Sequence, residues 1–201
     1  MDRAFLGLLV PDTLVTQEPS AVTAFYEEHG RKLIVKPISS GYVERGPTER
    51  DSLIYTNRVL DEHLNDLGDL KHCPAFFQQF IEKSYDVRIT VVDGDIHVVA
   101  LFASDATGNQ RCDIRRNNMA DVSYKQIELP DRIRQLIANL MRRYNLRFGA
   151  IDMAVSTTGE WYFFEINPNG QWAWLDTSAG TRLGESFVKS FTSLNAGLSV
   201  P

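Results

Sequence analysis

The stretch "FGAIDMAVSTTGEWYFFEINPNGQW", residues 148–172, decides the fold. Two β-rich runs flank Thr157-Thr158-Gly159, a pattern that predicts an antiparallel hairpin. In the second run Glu165 stands among Phe163, Phe164 and Ile166. The strand therefore reads as buried, with one carboxylate in place of an apolar side chain. A buried charge without a partner costs several kcal/mol, so Glu165 calls for one. If the turn centres on Thr158-Gly159, Thr157 pairs with Glu160, and counting outward sets Asp152 opposite Glu165. Strand side chains alternate, so Asn167 shares the face of Glu165. An odd-length loop would shift this register by one.

Two adjacent carboxylates repel unless a cation or a shared proton lies between them, and oxygen donors of this kind suit a hard cation such as magnesium. Magnesium binds with water and substrate phosphates rather than through protein alone, so this reading calls for a nucleotide nearby. The alternative is a hydrogen-bonded polar pair, capped by the indole of Trp172 or Trp174 or by backbone N–H groups, with "NPNG" (167–170) as an ordinary turn.

Working outward, 201 residues with three Trp, seven Tyr and eleven Phe can bury a real core in one domain or two small lobes. No apolar run is long enough to span a bilayer, and "MDRAFLGLLVPDT" is too short and wrongly flanked for a signal peptide. The expectation is a cytoplasmic protein without a membrane partner. Cys73 and Cys112 form no CxxC or CxxH pair, which argues against a disulfide framework or a zinc site. His29, His63, His72 and His97 lack metal-ligand spacing and are read as structural or exposed. A net charge of -5 disfavours nucleic acid as the partner.

Along the chain, a helix is expected from about Glu18, with Val22, Phe25 and Tyr26 on one side and Gly30 as its stop. "KLIVK" reads as a strand and "GYVERGPTERD" as a surface loop, and "LIYTNRVL" resumes extended structure. "AFFQQFI" (75–81) is a further short strand, followed by a polar break, "EKSYD", that suits a hinge. "VRITVVDGDIHVVALFA" predicts a hairpin turning on Asp93-Gly94. "DRIRQLIANLMRRYN" predicts a helix with Ile133, Leu136, Ile137, Leu140, Met141 and Tyr144 on its sheet-facing side. "RLGESFVKSF" is expected as a C-terminal helix. "QWAWLD" either shapes the substrate side of the site or walls the core beneath that helix.

These segments, in this order, resemble the ATP-grasp superfamily along nearly the whole chain. "LIVKP" resembles the small-lobe strand whose lysine touches nucleotide phosphates, "SSG" the phosphate-covering loop, "FFQQFI" the adenine-contacting hinge, and "AIDMAV…FFEINPNGQW" the metal-bearing hairpin. "IYTNR", "YDVRITVV", "DIRR" followed by "ELP", and above all "EINPNGQW" look most like the ligases that mature ribosomally made peptides, the microviridin or graspetide type, related to RimK-like glutamate ligases. The resemblance implies an α+β fold of two lobes with antiparallel sheets enclosing the nucleotide. It places a small lobe at 1–80 and a large lobe at 81–201.

The resemblance also implies roles. Lys36 would neutralise phosphate charge; Ser39, Ser40 and Gly41 would cover the phosphates; Phe80 and Ile81, with Gln79 beside them, would present backbone groups to adenine. Asp86 and Arg88 share a strand face, where the acid could hold a ribose or a lysine and the arginine a phosphate, or the two could form a surface ion pair. Arg115, with Arg116 as the competing choice, would stabilise the γ-phosphate and the acyl-phosphate formed from it. Asp152, Glu165 and Asn167 would hold magnesium, with manganese as an alternative ion.

The implied activity is ATP-dependent joining of a carboxylate to an amine or alcohol through an acyl-phosphate, with lobes that exclude water from that intermediate. The implied partners are ATP and a carboxylate-bearing substrate, a precursor peptide in the first instance, and a homodimer is compatible with the pattern. Two alternatives stand beside it: a small-molecule ligase of the glutathione synthetase or RimK type, and an ATP-binding module that does not complete ligation. Such ligases carry a further N-terminal α/β domain, whereas only Met1-Asp2-Arg3 precedes the matching region, which suggests a fragment or a shortened protein. Gln79 stands where many relatives have glutamate.

Overall fold

The computed structural model describes residues 4–39, 41–46, 49–103, 108–116 and 119–196. Their contacts divide into two compact units: the described residues of 11–82 and 104–121, and those of 2–10, 83–103 and 122–201. The first boundary follows Glu82, beside the cut expected after residue 80, while 2–10 and 104–121 each sit with the unit across that cut.

A two-strand edge comes first, β1 (Ala4–Phe5) and β2 (Leu8–Leu9). The first unit then holds β3 (Thr13–Thr16), α1 (Pro19–Glu28), β4 (Leu33–Lys36), β5 (Tyr42–Val43), β6 (Ser52–Leu53), β7 (Asn57–Arg58) and β8 (Ala75–Gln79). Its main sheet is antiparallel, in the order β3-β8-β4-β7, and β5 pairs with β6 alone. The α1 helix starts as its sequence dictates. Glu18 is extended at the N-cap and Pro19 takes the first helical position, where its missing N–H is no loss. Val22 and Tyr26 pack with Leu33, Val59 and Phe77 as the core of this unit. Extended structure over 53–60 is reduced to fragments, and two 3-10 turns, Asp61–Asn65 and Gly68–Lys71, fill the way to β8.

In the second unit β9 (Lys83–Val92) and β10 (Asp95–Phe102) form the expected hairpin. Asp93 and Gly94 both have positive φ, 48° and 91°, as a two-residue I′ turn requires. The polar break is shorter than the sequence suggested, because Lys83–Asp86 already belong to β9. A short helix, α2 (Asn109–Cys112), lies in the 104–121 segment of the first unit. Then come β11 (Ser123–Gln126), α3 (Asp131–Arg143), β12 (Phe148–Ser156), β13 (Trp161–Asn167), α4 (Ala173–Ala179) and α5 (Leu183–Ala196). The seven strands run β1-β2-β13-β12-β9-β10-β11, antiparallel except where β13 meets β2.

One face of this sheet carries Val87, Ile89, Val91, Ile151, Met153, Val155 and Phe163, which pack on Ile133, Ile137, Leu140 and Met141 of α3. Tyr144 departs from expectation. The helix ends at Arg143, and Tyr144 caps it with 52% of its surface exposed. The helix α4 was not foreseen; it occupies most of "QWAWLD" and ends on Gly180 at φ 64°.

The β12–β13 hairpin reaches the expected pairing by another route. Its loop is odd: Val155 pairs with Trp161, the Ser156 N–H donates to the Glu160 carbonyl, and Thr157-Thr158-Gly159 make the turn with Gly159 at φ 85°. Asp152 would then lose Glu165 as its partner. A β-bulge restores it, since Asp152 pairs with Glu165 while its neighbour Met153 pairs with Phe163, leaving Phe164 as the extra residue. The bulge also switches parity. Trp161 and Phe163 pack toward α3, as does Ile166 beyond the bulge, so Glu165 and Asn167 come out on the face of Asp152. Glu165 is exposed, which corrects the expectation of a buried carboxylate.

Ile137 has no exposed surface in this core. Ile137→Ala is therefore expected to cost about 3 kcal/mol in urea unfolding, and Tyr144→Ala no more than about 0.5 kcal/mol.

Candidate functional site

On the polar face of the seven-stranded sheet, strand register lines up one charged row. Arg88 of β9 lies beside Asp152 of β12, which lies beside Glu165 of β13, and Asp86 follows two residues before Arg88 on the same face. Arg88 Nε is 3.1 Å from Asp152 Oδ1. Lys83 Nζ donates to Asp86 Oδ1 at 2.7 Å. Asn167 stands opposite Ala150, and its Oδ1 accepts the Asn169 N–H at 2.8 Å, an Asx turn that shapes "NPNG". Gly170 closes that turn where a Cβ would fall 2.5 Å from the Ala150 Cβ. The indoles do not cap the pair; Trp172 packs on Phe187 and Trp174 on Tyr124, which makes "QWAWLD" a wall against α5 and β11.

Burial pushes the Asp152 carboxyl up to about 6, and the like charges of Glu165 and Asp86 and a hydrogen bond shared with Glu165 add to this against the pull of Arg88. Two neighbouring carboxylates whose mutual repulsion is only partly offset by Arg88 form a site that gains by binding a cation. Among the described residues no three His, Cys, Asp or Glu side chains cluster as metal ligands. Asp152, Glu165 and Asn167 bring two carboxylates and one carboxamide to one face of the hairpin, oxygen groups of the kind that suit magnesium with retained waters.

The first unit carries a second group on the sheet face away from α1. Lys36 Nζ donates to Gln78 Oε1 at 2.8 Å and lies 6.0 Å from the Phe76 ring centroid. The Phe80 N–H donates to the Lys32 carbonyl, so of the backbone groups expected at adenine this one is engaged within the chain, and the Arg58 guanidinium covers the Phe80 ring at 3.8 Å. The Gln79 N–H likewise donates to the Asp12 carbonyl. Ile81 is buried. Ser39 is exposed, and Gly41 holds φ 69° with the Ile54 carbonyl 2.6 Å from where a Cβ would stand. Ser40 lies outside the described residues.

Arg115 belongs to the first unit, not to the segment that carries the metal-type residues. Its Nε and Nη2 bind Asp113 at 2.9 and 2.7 Å, and Asp113 also accepts the Thr56 N–H at 3.1 Å. Burial alone would raise Asp113; these bonds and the Arg115 charge outweigh it and hold the carboxyl at about 2. Arg116 is spoken for differently, donating to Asn57 Oδ1 with its guanidinium 5.5 Å from the Tyr55 ring. Sequence reasoning missed Gln78, Thr13 and Arg58. A cavity of about 830 Å³ also opens in this unit, on the sheet face of Val35, Ala75 and Phe77, away from Lys36.

The ATP-grasp domain of prokaryotic glutathione synthetase matches residues 3–167. The chain belongs to that ATP-grasp family. It is 30% identical over 161 residues to the glutathione synthetase of Mesorhizobium japonicum, covering 79% of this chain and 48% of the relative. Among solved ATP-grasp structures it is similar to the macrocyclase MdnC of Microcystis aeruginosa MRC bound with the precursor peptide MdnA, with 29% identity, TM-score 0.78, 92% of this chain and 55% of that one. It is also similar to a peptide-associated (RiPP) ATP-grasp ligase of Chryseobacterium gregarium in complex with ADP and a leader and core peptide, with 31% identity, TM-score 0.80, 90% of this chain and 54% of that one. The ATP-grasp ligase PsnB, complexed with a precursor variant, Mg and ADP, shares the fold at 20% identity and TM-score 0.75, over 93% of this chain and 54% of its own. The chain spans about half the length of these ATP-grasp relatives.

Two electrostatic outcomes are expected. Because Asp152 is raised by folding, its ionised form costs stability above about pH 6 and nothing below the ordinary carboxylate range. Glu165→Gln should therefore raise the melting temperature of the metal-free protein at pH 8 by a few degrees, about 1 kcal/mol after solvent screening, and leave it unchanged near pH 4. Asp113 has the opposite sign. Its contribution is present above pH 4 and fades as pH falls toward 2, so Asp113→Asn should cost about 2 kcal/mol at pH 7 and little in strong acid, read from thermal melts across pH.

Proposed function

We propose that this chain binds ATP with magnesium and acts as a ligase that joins a carboxylate to an amine or alcohol on side chains of a ribosomally made peptide. The observation that carries the reading is the register that sets Asp152 directly beside Glu165 on the polar face of the hairpin, with Arg88 and Asn167 next to them. Likeness to MdnC and to the Chryseobacterium gregarium ligase, both solved with peptides, supports the peptide substrate.

In this reading the first unit is the lobe that meets phosphate and adenine, and the second is the metal-bearing lobe. Asp152, Glu165 and the Asn167 oxygen would hold magnesium, with manganese as an alternative, and the ion would offset phosphate charge and orient the γ-phosphoryl group. Lys36 neutralises the phosphates, while Ser39, Ser40 and Gly41 lie over them. Gln79, the Phe80 carbonyl and Ile81 meet adenine. A substrate carboxylate oxygen attacks the γ-phosphorus and ADP leaves; Arg115 stabilises the acyl-phosphate so formed. An amine or alcohol then attacks the acyl carbon, phosphate departs, and the nucleophile loses its proton. Arg88 keeps Asp152 oriented, and Asp86 keeps Lys83 beside the row.

The glutathione synthetase likeness favours a second reading, a ligase that adds an amino acid to a small carboxylate. Calorimetry of ATP with and without magnesium, beside Glu165→Ala, tests the shared part. Magnesium-dependent binding should fall at least about ten-fold in the variant, and intact binding there would overturn the assignment. ADP release driven by a Thr- and Asp/Glu-bearing peptide, against release driven by glutamate and small acids, separates the two substrates. Binding without release under either condition would leave an ATP-binding module.

A further inference from the structure

Gln78 was not among the residues that the sequence singled out, yet it is only 6% exposed and both ends of its amide are used. Its Oε1 accepts from Lys36 Nζ at 2.8 Å, and its Nε2 donates to Thr13 Oγ1 at 3.0 Å. Thr13 Oγ1 in turn donates to the Pro11 carbonyl at 3.0 Å. A hydroxyl has one proton, and here the carbonyl takes it, so Thr13 can only accept from Gln78. That fixes which way the amide points: nitrogen toward Thr13, oxygen toward Lys36. The reverse orientation would set an NH2 against an ammonium and a carbonyl oxygen against a hydroxyl oxygen with no proton to give.

We infer that Gln78 and Thr13 are positioning residues for Lys36, forming a neutral relay that aims the ammonium without cancelling its charge. Neutrality is the point of the arrangement. A carboxylate at position 78 would hold the lysine more tightly, but it would spend on the protein the charge that nucleotide phosphates need. An apolar side chain would remove this hydrogen bond and widen the range of positions open to the ammonium, and narrowing that range would then count against binding. The inference rests on the proposed role of Lys36 at the phosphates. It adds that this role is set by the adjoining strands β3 and β8, which pair at Thr13 and Gln78 themselves.

Calorimetry of magnesium-ATP and of adenosine, which lacks phosphates, tests it on the full chain with five variants. Lys36→Met is expected to weaken ATP by at least about ten-fold and spare adenosine; if ATP is unaffected, the reading of Lys36 itself fails. Given that loss, Gln78→Leu and Gln78→Glu should each weaken ATP about five-fold or more with adenosine unchanged. Thr13→Val, which removes only the hydroxyl, should weaken ATP about three-fold and Thr13→Ser should restore it. Equal losses for ATP and adenosine in Thr13→Val would mark a structural role and overturn the inference. So would wild-type ATP affinity in Thr13→Val or Gln78→Glu beside an impaired Lys36→Met.

Discussion

Two carboxylates on one face of a β-hairpin repel, and the second unit is organised around tolerating that repulsion. Arg88 draws on Asp152 from one side, and burial with the neighbouring charge of Glu165 raises the Asp152 carboxyl to about 6. Like charge that is only partly compensated at a sheet surface is a cost to stability. The opposite face of the same strands shows no such tension. Val87, Ile89, Ile151, Met153 and Phe163 close on α3 as an ordinary apolar core, so the strands that hold the strained pair are themselves firmly held.

The Asp152–Glu165 pairing was legible in the sequence for an incomplete reason. Counting from a two-residue turn gave the right partners, but the loop has three residues and the bulge at Phe164 makes up the difference. Only the Phe163-Phe164 doublet hints at it, and a doublet of aromatics reads more naturally as burial, which is why Glu165 was expected inside. Long periodic elements such as α3 and the I′ hairpin were clear because turn chemistry and spacing agreed. Gln78 was hidden because "FFQQF" contains two glutamines, and only the register of β8 shows which one faces Lys36. The α4 helix was hidden for another reason: seven residues give too few turns for a period to emerge.

Charged groups are held differently in the two units. In the first, Lys36 meets a neutral amide and Arg58 an aromatic ring, while Arg115 is paired with Asp113. In the second, acids are crowded onto one row with too few cations to balance them, two bases against three acids from Lys83 to Glu165.

The route of the backbone has a practical result. The chain passes from one unit to the other between residues 10 and 11, 82 and 83, 103 and 108, and 121 and 122. Neither unit is a continuous piece of sequence, so no single cut yields either one whole. A product starting at residue 83 would lose the β1–β2 edge that lies against β13 and would still carry α2 without the unit it belongs to. Dissecting this protein by truncation would damage both halves at once; point substitution, or re-routing of the chain termini, is the means by which their contributions can be told apart.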